Sequence, residues 1–115
     1  MLAFGGRVYV GSGNSNNDPP AKNAGPAEIW AWDIARGVFV KEWTAPDEQI
    51  DVFRVVGGAL VVPGHDPTQN WARGNFYRRT GGGSWETVRT IANGIHNYDM
   101  IGFGGRIFAG LGVVP

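Results

Sequence analysis

Both histidines of the chain stand beside acidic residues, an arrangement that can support metal binding or acid–base chemistry. The first group is His65-Asp66-Pro67, and the second is His96-Asn97-Tyr98-Asp99. An imidazole can exchange a proton near neutral pH or ligate a metal ion, and a neighbouring carboxylate can orient it. Each histidine lies near the end of a predicted strand, so these side chains could meet at one edge of a β-structure.

A structural interpretation competes with this one. Asp66-Pro67 has the composition of a turn, and Asp99 aligns with Asp51 at the start of an earlier predicted strand. An aspartate repeated at that point suggests hydrogen bonds between neighbouring units. We therefore predict no catalytic residue, metal site or cofactor, and keep His65, Asp66, His96 and Asp99 as candidate ligand-binding residues.

A second candidate is the aromatic and basic stretch WARGNFYRR at 71–79. Trp71 and Tyr77 could stack on the faces of sugar rings, while Arg73 hydrogen-bonds to hydroxyl groups. Alternatively, the stretch is a strand whose arginines lie over neighbouring aromatic rings or reach acidic groups on the next unit. We predict that Trp71, Arg73 and Tyr77 contact a ligand, and that Trp71, set among polar residues, does so from a loop.

Composition argues against several classes of partner and of enzyme. Ten Lys and Arg residues balance ten Asp and Glu residues, so no net charge attracts the chain to nucleic acid or to an anionic membrane. Cysteine is absent, no apolar run reaches the length of about 20 residues that a membrane helix needs, and the N-terminus does not resemble a signal peptide. Nucleophile elbow, P-loop and HExxH motifs are also absent. We expect a soluble protein that is not an enzyme; its compartment is left open.

The elements that position these residues come from a repeat. FGGRVYVGSG at 4–13 returns as GFGGRIFAGLG at 102–112, and FRVVGGALVVPG at 53–64 is a looser version between them. The Gly-Gly pairs are spaced by about 50 residues and are flanked by short runs rich in β-branched and aromatic residues. Each copy is therefore predicted to be a β-hairpin.

The second half of the unit repeats as well. EIWAWDIARGVFVKEW at 28–43 aligns with NFYRRTGGGSWETV at 75–88, and each reads as two strands joined by a turn. Alternation places Ile29 and Ala31 on one face of a strand and Trp30 and Trp32 on the other. Most tryptophans are expected in the core. The unit is predicted to contain four antiparallel strands.

A four-stranded sheet that repeats about every 50 residues resembles a blade of a β-propeller. WAWDIARGVF is similar to the end of a strand in WD-type repeats, and the glycine pairs are similar to those of kelch repeats. The resemblance implies an all-β partial propeller over residues 1–115. Blade 1 would cover about 1–49, blade 2 about 50–96, and residues 97–115 would supply the first two strands of a third. A two-sheet β-sandwich is the alternative fold.

Two and a half blades would leave sheet edges and apolar faces exposed. We expect either self-association into a ring, with a trimer favoured, or completion by the remainder of a longer propeller. The predicted function is a non-catalytic binding or scaffolding module whose ligand is a glycan or a protein surface. The alternatives are a fragment of a propeller-fold hydrolase or lyase that acts on carbohydrate, and a structural component of a larger assembly such as a phage particle.

Overall fold

The computed structural model describes residues 1–14, 24–69 and 73–112, which form three four-stranded antiparallel sheets. Within these ranges there is no α-helix, and a single short 3₁₀ helix spans Gly81–Gly83. The first sheet contains β1 (Leu2–Phe4), β2 (Arg7–Gly11), β3 (Ala27–Asp33) and β4 (Val38–Ala45). The second contains β6 (Arg54–Val56), β7 (Ala59–Pro63), β9 (Arg73–Arg79) and β10 (Trp85–Ala92), and the third contains β5 (Asp47–Gln49), β8 (His65–Pro67), β11 (His96–Phe103) and β12 (Arg106–Gly112).

The prediction of an all-β fold is confirmed, and the sheets are arranged as in a partial propeller, without a closed barrel. The described residues form three sheets rather than the two of a sandwich. In the described ranges, no helix is long and apolar enough to cross a lipid bilayer.

The three Gly-Gly pairs form the turns of three hairpins, β1–β2, β6–β7 and β11–β12. Both glycines of each pair have positive φ angles, between 56° and 77°, which is the backbone of a type I′ turn. Side chains other than glycine rarely adopt this conformation, so the sequence doublet fixes where each hairpin turns. The three hairpins are therefore equivalent, and positions can be compared by counting from the glycines.

The third sheet is larger than the predicted pair of terminal strands. β11 pairs with β12 on one side and with β8 on the other, at His96 and His65, and β8 pairs with β5. A bridge between Gly13 and Gln49 extends the row back to the end of β2. The ends of successive strands are thus joined in one row, Gly13, Gln49, His65, His96 and Gly112, which we call the strand-end ladder.

The main core lies between the first and second sheets. Tyr9, Ile29 and Ala31 of the first sheet pack with Leu60 and Val62 of the second, and all five are buried. The exposed fraction of their neighbours Trp30 and Trp32 is 37% and 36%, because these two alternate with the buried residues and point away from the second sheet. The expectation that they belong to the core is wrong.

A smaller core joins the second sheet to the β11–β12 hairpin. Val61 and Phe76 of the second sheet contact Met100 of β11, and Leu111 of β12 packs beside them. The opposite face of the hairpin carries Ile101 and Phe103, which are exposed. One face of the hairpin therefore contributes Met100 and Leu111 to this core, but Ile107 on the same face is 56% exposed, so the hairpin covers the second sheet only in part.

Candidate functional site

The structure brings both histidines together on the strand-end ladder. His65 begins β8, His96 begins β11, and the two are direct partners in the antiparallel register. Side chains of directly opposed residues project to the same side of a sheet. The two imidazole rings consequently meet edge to face, with their centroids 5.0 Å apart.

Asp66 joins the pair through an unusual backbone conformation. Its φ angle is +56°, a region that aspartate tolerates better than most residues, and its N–H donates to the carbonyl oxygen of Ile95 at 3.2 Å. Its carboxylate oxygen Oδ1 lies 2.7 Å from Nε2 of His96. A local backbone turn therefore places the carboxylate against the histidine of the neighbouring strand.

Tyr98 completes one wall of this group. A bulge in the β11–β12 pairing falls at this residue, and its ring centroid lies 5.6 Å from that of His65 and 5.9 Å from that of His96. The side chain of His96 is 37% exposed and that of Asp66 is 20% exposed. The group is thus half-buried and accessible from solvent.

The fourth candidate of the set, Asp99, lies elsewhere. Its carboxylate accepts a hydrogen bond from Nη2 of Arg54 at 2.7 Å and one from the backbone N–H of Met100. In the described ranges, the ligand atoms of His65, Asp66 and His96 all lie within 4.8 Å of one another and could hold a metal ion. Sequence reasoning named these three residues but could not separate them from Asp99.

The aromatic and basic stretch does not form one surface. Trp71 lies outside the described residues, and Arg73 is exposed at the start of β9. Tyr77 is buried, with its hydroxyl donating to the carboxylate of Asp47, so its ring has no free face for a sugar. The role of Trp71 and Arg73 in ligand binding stays a prediction, whereas Tyr77 is part of the main core.

The last arginine of that stretch follows the alternative interpretation. Arg79 reaches Glu42 on the neighbouring sheet, and its guanidinium lies 5.8 Å from the centre of the Tyr9 ring. The Glu42 side chain is only 4% exposed and also accepts a hydrogen bond from Arg7 at 3.0 Å. Sequence reasoning missed Glu42, because nothing in the pattern of β4 distinguishes it from an exposed residue.

Asp47 is a second buried acidic residue that the sequence did not single out. Burial raises the pKa of its carboxyl to about 6, the hydrogen bond from Tyr77 opposes that shift, and the negative charge of Asp66 adds to it. The hydroxyl of Tyr77 is held in its neutral form, because burial and the neighbouring Asp47 both raise its pKa. A carboxyl that titrates near pH 6 therefore lies close to the histidine group.

Comparisons of this chain with protein-family models, with curated proteins and with solved structures find no match. No relative therefore assigns a role to any of these residues. The functional interpretation rests on the geometry of the described residues.

Proposed function

We propose that this protein is a non-catalytic scaffolding and binding module of the β-propeller type, and that its copies associate head to tail. The observation that carries the proposal is a correspondence between faces. The two outermost faces of the three-sheet stack hold the same positions in their hairpins as the faces that are buried between the first and second sheets.

The first outermost face is identified by comparing the third residue after the glycine pair in each of the three hairpins. Tyr9 of the first hairpin packs against Phe53 and is 1% exposed, and Val61 of the second hairpin packs against Met100 and is 4% exposed. Phe108 holds the same position in the third hairpin and is 53% exposed. We call its surface, formed by Ile101, Phe103 and Phe108, the onward face.

The second outermost face is identified by comparing the second residue after the glycine pair in each hairpin. Leu60 of the second hairpin is buried against the first sheet, and Ile107 of the third hairpin lines a cleft with Phe76 of the second sheet. Val8 holds this position in the first hairpin, and its register partner is the half-exposed Trp32. We call this surface the back face; it comprises Val8, Val10, Trp30, Trp32 and Phe39.

The first sheet thus buries its onward face against the back face of the second, whereas Ile107 on the back face of the third hairpin is 56% exposed and is covered only in part. The exposed onward face of one copy is suited to cover the exposed back face of another, since both carry large apolar side chains. Contacts of this kind are heterologous, so they close a ring if the rotation per copy permits it. The two complete blades predicted for each chain favour a trimer with six blades; if all three observed sheets count as blades, two copies already supply six, within the usual range of about 4–8.

The kelch-like glycine pairs and the single WD dipeptide support the propeller interpretation. In such a ring the loops between strands would lie on the rims and present the binding surface, for which we propose a glycan or a protein. Arg73 is the exposed described residue that we expect to contribute. The chemistry of the ligand is proposed from the propeller resemblance rather than from a formed pocket.

The mass of the protein in solution, measured by light scattering or native mass spectrometry, tests the association. The wild-type chain should form one closed oligomer. Phe108→Lys on the onward face and Phe39→Lys on the back face should each break it. Ile34→Lys is the control, because Ile34 is similarly exposed in the β3–β4 turn and belongs to neither face.

Mixing the two disrupted variants distinguishes a head-to-tail contact from a symmetric one. Each variant retains one intact face, so the Phe39→Lys onward face can meet the Phe108→Lys back face and form a mixed dimer. In a symmetric contact the same face meets itself, and mixing would restore nothing. A wild-type protein that stays monomeric at all accessible concentrations contradicts the proposal.

A fragment of a propeller-fold hydrolase or lyase is the second candidate, and the convergence of His65, Asp66 and His96 favours it. These side chains have the types needed for proton transfer to or from a bound substrate. Carbohydrate hydrolysis that is abolished by His96→Gln but retained by Asp99→Asn would support the enzyme over the scaffold.

A further inference from the structure

We propose that His65, Asp66 and His96 bind a divalent transition-metal ion of the zinc class. This site lies within one chain and does not depend on head-to-tail association. Zinc in proteins prefers imidazole nitrogen and carboxylate oxygen, and it often takes three protein ligands with an open fourth position. The two histidines and the aspartate supply that set of donors from two neighbouring strands, β8 and β11.

The distances between donor atoms suit a tetrahedral ion. Ligands at zinc distances of about 2.0–2.2 Å are separated from one another by roughly 3.3 Å. In the structure, Nε2 of His96 and Oδ1 of Asp66 are 2.7 Å apart, and the donor atoms of all three residues lie within 4.8 Å. The required spacing lies between these two distances, so we expect rotations of the side chains to bring the donors to it.

The carboxylate of Asp66 is held directly against His96. Its Oδ1 is buried and lies 2.7 Å from Nε2 of His96, the distance of a hydrogen bond when that nitrogen carries the proton. A divalent cation can replace that proton between the two atoms, because metal ligands bind in their deprotonated form.

The backbone around the site holds its donors in place. His65 and His96 are fixed by their register, and Asp66 by its positive φ and its hydrogen bond to Ile95. The backbone of Gly112 in β12 lies against the side chains of His96 and Tyr98, since a Cβ atom at residue 112 would be 3.0 Å from both His96 Cβ and Tyr98 Oη. The same position is 3.1 Å from Nδ1 of His96, so Nδ1 faces β12 while Nε2 faces Asp66.

An ion at this site would join the terminal hairpin to the rest of the protein. Among the described residues, β8 and β11 share a single register pair, His65 with His96. The hairpin also contacts the second sheet through the small core around Met100, the Arg54–Asp99 ion pair and the hydrogen bond from Asn97 to the carbonyl oxygen of Asn75. A bound ion would crosslink β8 and β11 at their one point of pairing, and would stabilise the folded state increasingly as the free ion concentration exceeds the dissociation constant.

Calorimetric titration of chelator-treated full chain with zinc chloride tests the site. We expect saturable binding of one ion per chain. His96→Gln and Asp66→Asn should each weaken it by about 100-fold or more, because loss of even an indirect partner of a metal ligand costs about 10–100-fold. Asp99→Asn is the matched control and should bind as the wild type does, because Asp99 pairs with Arg54 instead.

Hydrogen exchange of the wild-type protein gives a readout that needs no variant. Zinc should slow exchange of the amides in β11 and β12, and should leave β1 to β4 unchanged. Cobalt(II) bound at the same site should show the visible absorption of a tetrahedral complex. The proposal is overturned if the wild type shows no saturable binding, if zinc leaves hairpin exchange unaltered, or if a folded Asp66→Asn variant binds as tightly as the wild type.

Discussion

Arg79 of the second sheet donates two hydrogen bonds to one oxygen of Glu42 in the first, from Nε at 3.0 Å and from Nη2 at 2.8 Å. Arg7 and the hydroxyl of Tyr9 donate to the same oxygen at 3.0 Å and 3.3 Å. Four donors from two sheets thus converge on a carboxylate that is nearly excluded from solvent. This relationship defines how the first two sheets are oriented, beyond what apolar contacts alone specify.

Glu42→Gln should lower the free energy of unfolding by about 2 kcal/mol, because two partly buried guanidinium groups lose the charge that compensates them. The value is below that of a fully buried pair, since Arg7 and Arg79 remain about a quarter exposed. Chemical denaturation measures the difference.

Glu86→Gln is the control for this prediction. Glu86 pairs with Arg78 in the open, where both side chains are about half exposed, and the loss should be at most about 1 kcal/mol. Equal losses in the two variants would show that the Glu42 cluster contributes no more than a surface ion pair.

Asp47→Asn should make the protein more stable at neutral pH. The folded-state pKa of Asp47 is raised to about 6 from 3.8, so the folded chain keeps a proton that the unfolded chain releases. The contribution of this proton to the free energy of unfolding is fully present below pH 3.8 and is lost as the pH rises through 6. Asparagine cannot ionise, and its oxygen can still accept the hydrogen bond from Tyr77.

The advantage of Asp47→Asn over the wild type should grow between pH 4 and pH 7, to at most about 3 kcal/mol, because one pKa unit corresponds to about 1.4 kcal/mol. Denaturation at a series of pH values measures it. Asp51→Asn, which removes an exposed carboxyl, is the control and should show no such growth. If the difference in the free energy of unfolding between Asp47→Asn and the wild type did not change with pH, the raised pKa of Asp47 would be contradicted.

Gly11→Ala should destabilise the protein by about 3 kcal/mol, at the upper end of the usual cost of overpacking. A Cβ atom at residue 11 would lie 1.8 Å from the carbonyl oxygen of Ile50, so β2 and the segment that follows β5 would have to move apart. The shift in thermal denaturation midpoint reports the loss.

Gly110 offers a matched comparison, because it holds the same position in the third hairpin and a Cβ atom there meets no described atom within 4 Å. Gly110→Ala should change stability by less than about 0.5 kcal/mol. Comparable destabilisation by the two substitutions would contradict the structure, because it would mean that residue 110 is as crowded as residue 11.

The hairpins and the four-strand units could be predicted because they depend on local features. The Gly-Gly pairs require positive φ angles, and the alternation around Ile29 and Ala31 marks a sheet with one buried face. Which face is buried could not be read in the same way, since Trp30 and Trp32 are as apolar as the residues that fill the core. That choice depends on which sheet lies opposite, and opposite sheets come from distant parts of the chain.

The candidate site was anticipated in part for the same reason. His65, Asp66 and His96 were identified by residue type, but their meeting depends on the pairing of β8 with β11, which has no local signal. Asp99 has the same chemistry and a similar place in the sequence, yet Arg54 holds it elsewhere. Tyr77 was misjudged because an aromatic residue beside arginines has the same appearance in a core strand and on a binding surface.

The strand-end ladder links successive units through main-chain pairing, at positions whose residues have little in common: Gly13, Gln49, His65, His96 and Gly112. Because the backbone makes these links, each unit can change its side chains there without losing its neighbour. Units of the repeat can therefore differ in sequence along this row while the main-chain pairing is kept. A histidine at one of these positions lies beside the paired residue of the neighbouring unit, so functional side chains from two units can be brought together where the units meet.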